Sequence, residues 1–412
     1  MTEPQEKNTA IPVNWEKIYA GRAKRLNKSA IREILKLINK PEIISFAGGL
    51  PANELLPCDE VKEACVAILS DRKIGEKALQ YAPTEGYAPL KEFLCAQMQE
   101  YGVPAHMENV SITNGAQGAI FLSGLMLVEK GTMVLVENPT YLGYINPMKH
   151  LGAEFCTIPV DKDGMRVDLL PGIIEKHHPK IIYTMPDFHN PLGVTMSLER
   201  RHKLAEIVSA RDDIVIIEDN PYGKLRYEGK HLPPVVSLAK EHTFYLGTVS
   251  KILAPGLRVG WMVAPEEPTT KTFEAIQGEC LYTSFLTQMI VHRIFTSGKM
   301  DDRIAMLRKV YGERRDMMLS MLEKHFPKEV TWTHPEGGLF LWVTTPGNIN
   351  TLDFFNKVIK DNVAYVPGAS FYANADEEGL HTARLNFSYC SVPDIQIGIE
   401  RLGIALKKAL KA

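Results

Sequence analysis

Short apolar, β-branched runs punctuate the middle of this chain, and longer amphipathic stretches separate them. The runs are TMVLVE (132–137), EFCTIPV (154–160), KIIYTMP (180–186), DIVIIED (213–219), TFYLGTV (243–249) and VGWMVA (259–264). Apolar runs of this length are the pattern of strands buried on both faces of a sheet. GAQGAIFLSGLMLVEKG (115–131) predicts a helix that stops at Gly131. SLERRHKLAEIVSARDD (197–213) predicts another, with Ser197 as N-cap and Glu199 near the positive helix end. Strands alternating with helices predict an α/β domain with a mostly parallel central sheet covered by helices.

The two ends differ from this middle. Residues 1–20 are polar and predict an irregular arm. KSAIREILKLINK (28–40) predicts an amphipathic helix with Ile31, Ile34, Leu35 and Ile38 on one stripe, broken by Pro41 and FAGGLP (46–51). Beyond residue 300 a charged helix (301–325) leads to TWTHPEGGLFLWV (331–343), which reads as a strand pair. A helix at 351–360, short strands near 363–366 and 383–388 and a final helix from 392 follow. These predict a smaller α+β domain. The expected division is an arm belonging partly to the small domain (1–55), a large domain (56–299) and a small C-terminal domain (300–412).

Composition removes several classes of function. With 412 residues, 45% of them hydrophobic, the chain can bury a sizeable core. Its 47 basic and 49 acidic residues nearly cancel, so no single-sign field argues for nucleic acid or an anionic membrane surface. No run nears the roughly 18 apolar residues that span a bilayer. The six cysteines are scattered without a C-x-x-C pair, and the first residues carry charges rather than an apolar core. Together these predict a reduced, cytoplasmic protein. His189 lacks partners at metal-ligand spacing, so no metal is expected. No phosphate-binding G-x-G-x-x-G or Walker loop follows a strand, and no serine nucleophile elbow is present.

The candidate chemistry gathers at strand ends. In open α/β sheets, ligands bind outside the carboxyl ends of the strands. Asn190 follows KIIYTMP, Asp219 and Tyr222 follow DIVIIE, and Ser250 and Lys251 follow TFYLGTV. The helix beginning at Gly115 opens toward the same edge and offers free N–H groups to a phosphate. Arg258, seven residues after Lys251, adds a bidentate phosphate donor. An amine, a carboxylate, a phosphate clamp and a further arginine are what pyridoxal chemistry requires. Taken singly, each has an ordinary explanation: Lys251 a solvated charge, Arg258 a surface ion pair, Asn190 and Asp219 turn formers, Tyr141 and Tyr222 half-buried aromatics.

The runs SAIREIL, SFAGGLP, LQYAPTEG, TNGAQGA, ENPTYLG, NPLG, IIEDNPYG, TVSK, GLRVG, EGGLFLW, VPGASFY and ARLNFS occur in this order from about residue 29 to 388. In this order they resemble the fold-type I, class I and II aminotransferases that use pyridoxal 5′-phosphate, and most of all the α-aminoadipate/kynurenine group. The resemblance implies the following roles. Lys251 forms the Schiff base and shuttles a proton, Asp219 pairs with the pyridine nitrogen, and Tyr141 stacks on the ring. Asn190 and Tyr222 hold the phenolate oxygen. Arg258, Ser250, Thr248 and the amides of Ala116 and Gln117 bind phosphate. Tyr81 reaches the phosphate of a neighbouring subunit, which makes the protein a homodimer with shared sites. Arg384 grips the substrate carboxylate beside the backbone of Gly49, and Arg32 meets an acidic or polar substrate side chain. Three positions depart from the family pattern: His189 replaces a glutamine, Leu192 a threonine, and Ala116 a serine at the phosphate helix.

The expected reaction is transfer of an amino group from an L-amino acid to a 2-oxo acid such as 2-oxoglutarate, through pyridoxamine phosphate. The rival on the same fold is a lyase or decarboxylase. A regulator's aminotransferase-like sensor domain is a second rival; only about 28 residues precede the resemblance, and no DNA-binding module is expected in them.

Overall fold

The structure, a computed structural model, describes residues 13–26, 40, 42–103, 105–374 and 376–411. Residues 28–39 of the helix expected at 28–40 lie outside them. Strands are numbered along the chain. β1 (Ile44–Ser45) comes first. β2 (Val110–Thr113), β3 (Met133–Asn138), β4 (Glu154–Asp161), β5 (Gly164–Met165), β6 (Ile181–Thr184), β7 (Val215–Asp219), β8 (Thr243–Thr248) and β9 (Gly260–Val263) build one sheet in the spatial order β2-β9-β8-β7-β6-β3-β4-β5. β8, β7, β6, β3 and β4 run parallel, while β9 is antiparallel to both β8 and β2. The fold is the predicted fold-type I architecture. All four residues of β2, β6 and β9 are buried, which follows from helices covering both faces.

β10 (Thr331–Trp332), β11 (Phe340–Thr344), β12 (Val363–Ala364), β13 (Val366–Pro367) and β14 (Thr382–Asn386) complete the set. Four of them form an antiparallel sheet, β10-β11-β14-β13, and β12 pairs in parallel with β1. The helices Met300–His325 and Val392–Ala409 pack against this part. Its core includes Phe46, Leu341, Trp342, Ile395, Ile399 and Leu402. Each large apolar side chain so buried contributes about 1.5–3 kcal/mol. The long helix Met300–His325 belongs to two cores at once. Leu307 and Tyr311 pack with the large-sheet side, whereas Met318 and Leu322 pack with the small sheet.

Two local expectations need correction. The helix beginning at Gly115 ends at Leu127, because Val128 is already extended; Gly131, at φ +87°, instead turns the chain toward β3. The arm contains single helical turns at Trp15–Ile18 and Gly21–Lys24 rather than irregular chain only. The N-cap at Ser197 is as expected: its Oγ accepts from the amide of Arg200 at 3.3 Å.

Candidate active site

Strand register assembles one corner of the site. Thr113, Gly260 and Thr248 are direct partners across β2, β9 and β8. From Thr113 the chain enters the helix Gly115–Leu127, and from Thr248 it passes into Ser250 and Lys251. The helix N-terminus, with its unpaired amides at Ala116 and Gln117, therefore stands beside the Thr248 and Ser250 hydroxyls. Those hydroxyls lie 2.9 Å apart. Arg258 Nη2 donates to Asn114 O at 2.8 Å and Nη1 to Pro255 O at 3.2 Å. Glycine is required here: a Cβ on Gly260 would lie 2.7 Å from Ala116 N, and one on Gly115 2.7 Å from Arg258 Nη2. The Gln117 side chain donates to Gly143 O at 2.8 Å.

Lys251 and Asp219 form the second part. Lys251 Nζ donates to Gly49 O at 2.7 Å. Burial, reinforced by the charges of Arg384 and Arg258, pushes the Lys251 ammonium down to about 8, against the pull of Asp219. Asp219 is 1% exposed. Its Oδ2 accepts from Tyr183 Oη at 2.8 Å, and its Oδ1 has no partner among the described residues. Burial pushes this carboxyl up to about 7, with the Tyr183 hydrogen bond and the Lys251 charge opposing. Burial, and then the nearby Asp219 charge, raise Tyr141 to about 12, so its phenol stays neutral.

Arg384, on β14, closes the site. Its Nη1 donates to Asn190 Oδ1 at 2.9 Å and its Nη2 to Ala47 O at 2.8 Å, while Nε has no hydrogen-bond partner among the described residues. Phe340 and Phe371 face the guanidinium, with centroids 4.1 and 4.9 Å from its carbon. No carboxylate pairs with it among the described residues. A buried cation held only by carbonyls and aromatic faces keeps an uncompensated charge, which costs several kcal/mol unless an anion arrives. Burial lowers Arg384 to about 10, which leaves it protonated at neutral pH. Asn190 Nδ2 reaches Tyr222 Oη at 3.4 Å, so Arg384, Asn190 and Tyr222 form one chain. A Cβ on Gly49 would meet Phe340 at 2.9 Å, so this backbone also lies against the site wall.

Two expected residues are not placed in this subunit's site. Tyr81, expected to serve a neighbouring subunit, is 78% exposed and packs edge-on with the Tyr282 ring. Arg32 lies outside the described residues. Sequence reasoning in turn passed over Tyr183, Tyr144, Phe340 and Phe371. Tyr183 sits inside a run read as strand, and Tyr144 lies in a stretch to which no element was assigned, so the stacking of the two rings and the bond to Asp219 were hidden. His189 Nε2 comes within 3.1 Å of Glu137 Oε2 without hydrogen-bond alignment, and both side chains are 2% exposed. His189 is thus buried beside Glu137.

The orphaned Oδ1 of Asp219, the glycine-lined corner at a helix start, the depressed Lys251 amine and the uncompensated Arg384 charge fit a pyridoxal phosphate molecule with an amino-acid substrate. Fold and site together define a fold-type I pyridoxal phosphate enzyme. Residues 41–402 match the family "Aminotransferase class I and II". The chain is 40% identical to aromatic-amino-acid aminotransferase 1 of Thermococcus litoralis, over 99% of this chain and 98% of that one. It is 39% identical to the 2-aminoadipate transaminase of Thermus thermophilus, over 97% of this chain and 99% of that one. The solved kynurenine aminotransferase of Pyrococcus horikoshii, in complex with PMP, superposes with a TM-score of 0.91 at 39% identity, covering 97% of this chain and 99% of that one. The chain belongs to the class I and II aminotransferase family. It is a pyridoxal phosphate-dependent aminotransferase.

Proposed function

We propose that the amino donor is an L-amino acid of the aminoadipate, aromatic or branched-chain type and the acceptor a 2-oxo acid such as 2-oxoglutarate. The names of the relatives support the aminoadipate and aromatic parts of this range. The observation that carries the reaction type is Arg384, a buried guanidinium with no anionic partner among the described residues, tied to Asn190. It binds the α-carboxylate and holds the substrate by a bond that is not broken, which leaves Cα–H to be cleaved. That is the choice transamination needs and decarboxylation does not.

Pyridoxal phosphate, when bound, supplies a carbonyl that condenses with amines and a ring that accepts carbanion electrons. The protein's own residues do the rest. Lys251 Nζ anchors the cofactor and takes the Cα proton; its lowered pKa leaves part of it neutral near pH 7. Asp219 Oδ1 would hold a proton on the ring nitrogen. Asn190 and Tyr222 would hold the phenolate oxygen, and Tyr141 would cover the ring. Thr248, Ser250, Arg258 and the Ala116 and Gln117 amides would hold the phosphate. Gly49 borders the substrate carboxylate. Arg32 is the proposed contact for an acidic or polar donor side chain.

The same reading makes the protein a homodimer with shared sites, each Tyr81 serving its neighbour. Leu79, Tyr81 and Leu281, exposed by 70%, 78% and 50%, support a covered surface here. The domain limits 56–299 and 300–412, with 1–55 as an arm and part of the small domain, are proposed on the pairing of β1 with β12 and of Asn386 N with Phe46 O. A cytoplasmic location is proposed on six unpaired thiols. A panel of L-amino acids with 2-oxoglutarate, read as kcat/KM, tests the donor range. In a single turnover, stoichiometric 2-oxo acid supports the proposal; release of ammonia or carbon dioxide supports the lyase or decarboxylase instead. Arg32→Ala should weaken acidic donors selectively, and a uniform loss would remove its assigned contact.

A further inference from the structure

We propose that Tyr183 is the positioning residue for Asp219: its hydroxyl occupies one carboxylate oxygen and leaves the other, Oδ1, free for the cofactor's ring nitrogen. The proposal rests on the role given to Asp219 above.

Register makes the contact. Tyr183 on β6 is the direct partner of Ile217 on β7, and Asp219 lies two residues further along. Ile217 and Asp219 share one face of β7, so Tyr183 and Asp219 are diagonal neighbours within reach of a long side chain. The 2.8 Å bond from Tyr183 Oη to Asp219 Oδ2 is the result. Both residues are almost wholly enclosed, at 0% and 1% exposure. The phenol is held in turn by Tyr144, on the helix Leu142–Leu151, whose ring stacks on it at 3.7 Å and 12°. Tyr144 Oη has no hydrogen-bond partner among the described residues, so its contribution to the pair is the ring face.

A buried carboxylate with no donor tends to take up a proton, and a protonated Asp219 could not hold a second proton on the ring nitrogen. The titratable groups facing Asp219 are Tyr183 from β6, Tyr141 and Tyr222 from the loops after β3 and β7, and Lys251 after β8, whereas Tyr245 on β8 pairs with Glu218 and lies on the other face of the sheet. Of these, Tyr183 alone hydrogen-bonds to the carboxylate. Burial drives the Tyr183 phenol well above its ordinary range, so it remains a neutral donor. One anchored oxygen also fixes the rotation of the carboxylate, which aims Oδ1.

The test is Tyr183→Phe, which keeps the stacked ring and removes the donor. Titration of apoprotein with pyridoxal phosphate, followed by quenching of protein fluorescence, should show about tenfold weaker binding, the size expected for one hydrogen bond to a charged group. The acid limb of cofactor retention against pH should move up by about one unit, because the Asp219 anion has lost its donor. Loss of turnover should fall on kcat rather than on KM for the amino acid. Tyr144→Phe, which keeps the stack and deletes only the idle hydroxyl, should match the wild type. Site-specific 3-fluorotyrosine at position 183, a more acidic donor in the same ring, should move the acid limb down; this arm decides the matter should Tyr183→Phe not fold. An unchanged affinity and acid limb in Tyr183→Phe, or an unmoved limb with fluorotyrosine, would overturn the proposal. Asp219→Asn separates the two levels. If it binds cofactor as tightly as the wild type, the reading of Asp219 itself fails; if it weakens binding while Tyr183→Phe does not, only the role of Tyr183 fails.

Discussion

Arg384 Nη1 and Asn190 Oδ1 are joined by a 2.9 Å hydrogen bond that runs from the small antiparallel sheet to the loop after β6 of the large one. The carboxylate-binding cation and a cofactor-holding amide are therefore one unit. Asn190 spends Oδ1 on Arg384 and keeps Nδ2, which points at Tyr222, for the cofactor side. The guanidinium is preorganised before substrate arrives, held by Ala47 O and by two phenyl faces.

Truncating that cation should be severe. Arg384→Ala removes a buried charge-assisted pairing worth about 3–5 kcal/mol, so kcat/KM for every amino-acid donor should fall by roughly two to four orders of magnitude. Arg384→Lys should recover little, because a point charge cannot replace a bidentate fork. Steady-state kinetics over several donors checks this, and a loss confined to one donor class would place Arg384 at the side chain instead.

Covalent capture of pyridoxal phosphate by the apoprotein should depend on pH through Lys251. The amine must be neutral to attack, and its pKa has fallen from 10.5 to about 8. The capture rate should therefore rise as pH increases through about 8 and then level off. Arg384 and Arg258 both push this pKa down, so Arg384→Gln should move the rise to higher pH. Stopped-flow absorbance at a series of pH values measures it; a rise unmoved in Arg384→Gln would contradict the assigned cause.

Arg258→Ala should loosen the phosphate and not the chemistry. Loss of a charge-assisted contact at the helix start should weaken cofactor binding by roughly ten- to a hundredfold. Excess pyridoxal phosphate in the assay should then restore most of kcat.

The sequence pattern located the cofactor side because strand ends are legible, whereas Arg384 and Tyr141 came from the family resemblance. KIIYTMP, DIVIIED and TFYLGTV are each apolar to the sheet edge and polar just beyond it, which set Asn190, Asp219, Ser250 and Lys251 in one row. What stayed hidden depended on register or on length. β2 is only four residues, NVSIT gave no alternation to read, and yet its pairing with β9 sets Gly115 beside Gly260. Tyr183 looked like one more strand residue, since its bond to Asp219 follows from which residue of β6 faces which of β7. Phe340 and Phe371 stood unremarked within the runs EGGLFLW and VPGASFY, and the guanidinium between them becomes visible only when β14 is placed against β11 and β13.

Sites shared between subunits would leave a distinctive signature. Tyr81→Ala and Lys251→Ala homodimers should each be impaired. Mixed after unfolding and refolding, they should regain activity, up to about a quarter of wild type, because half the dimers are hybrids and each hybrid has one site with both residues intact. Mixtures no more active than the sum of the parents would assign Tyr81 to its own subunit or to no site.

The central claim is that Lys251 carries the cofactor. Borohydride reduction of the holoenzyme, followed by proteolysis and mass spectrometry, tests it most directly. The account predicts one reduced pyridoxal phosphate on the peptide containing Lys251, and none on protein carrying Lys251→Ala, which should also be inactive. A label on another lysine, or normal turnover by Lys251→Ala, would contradict it.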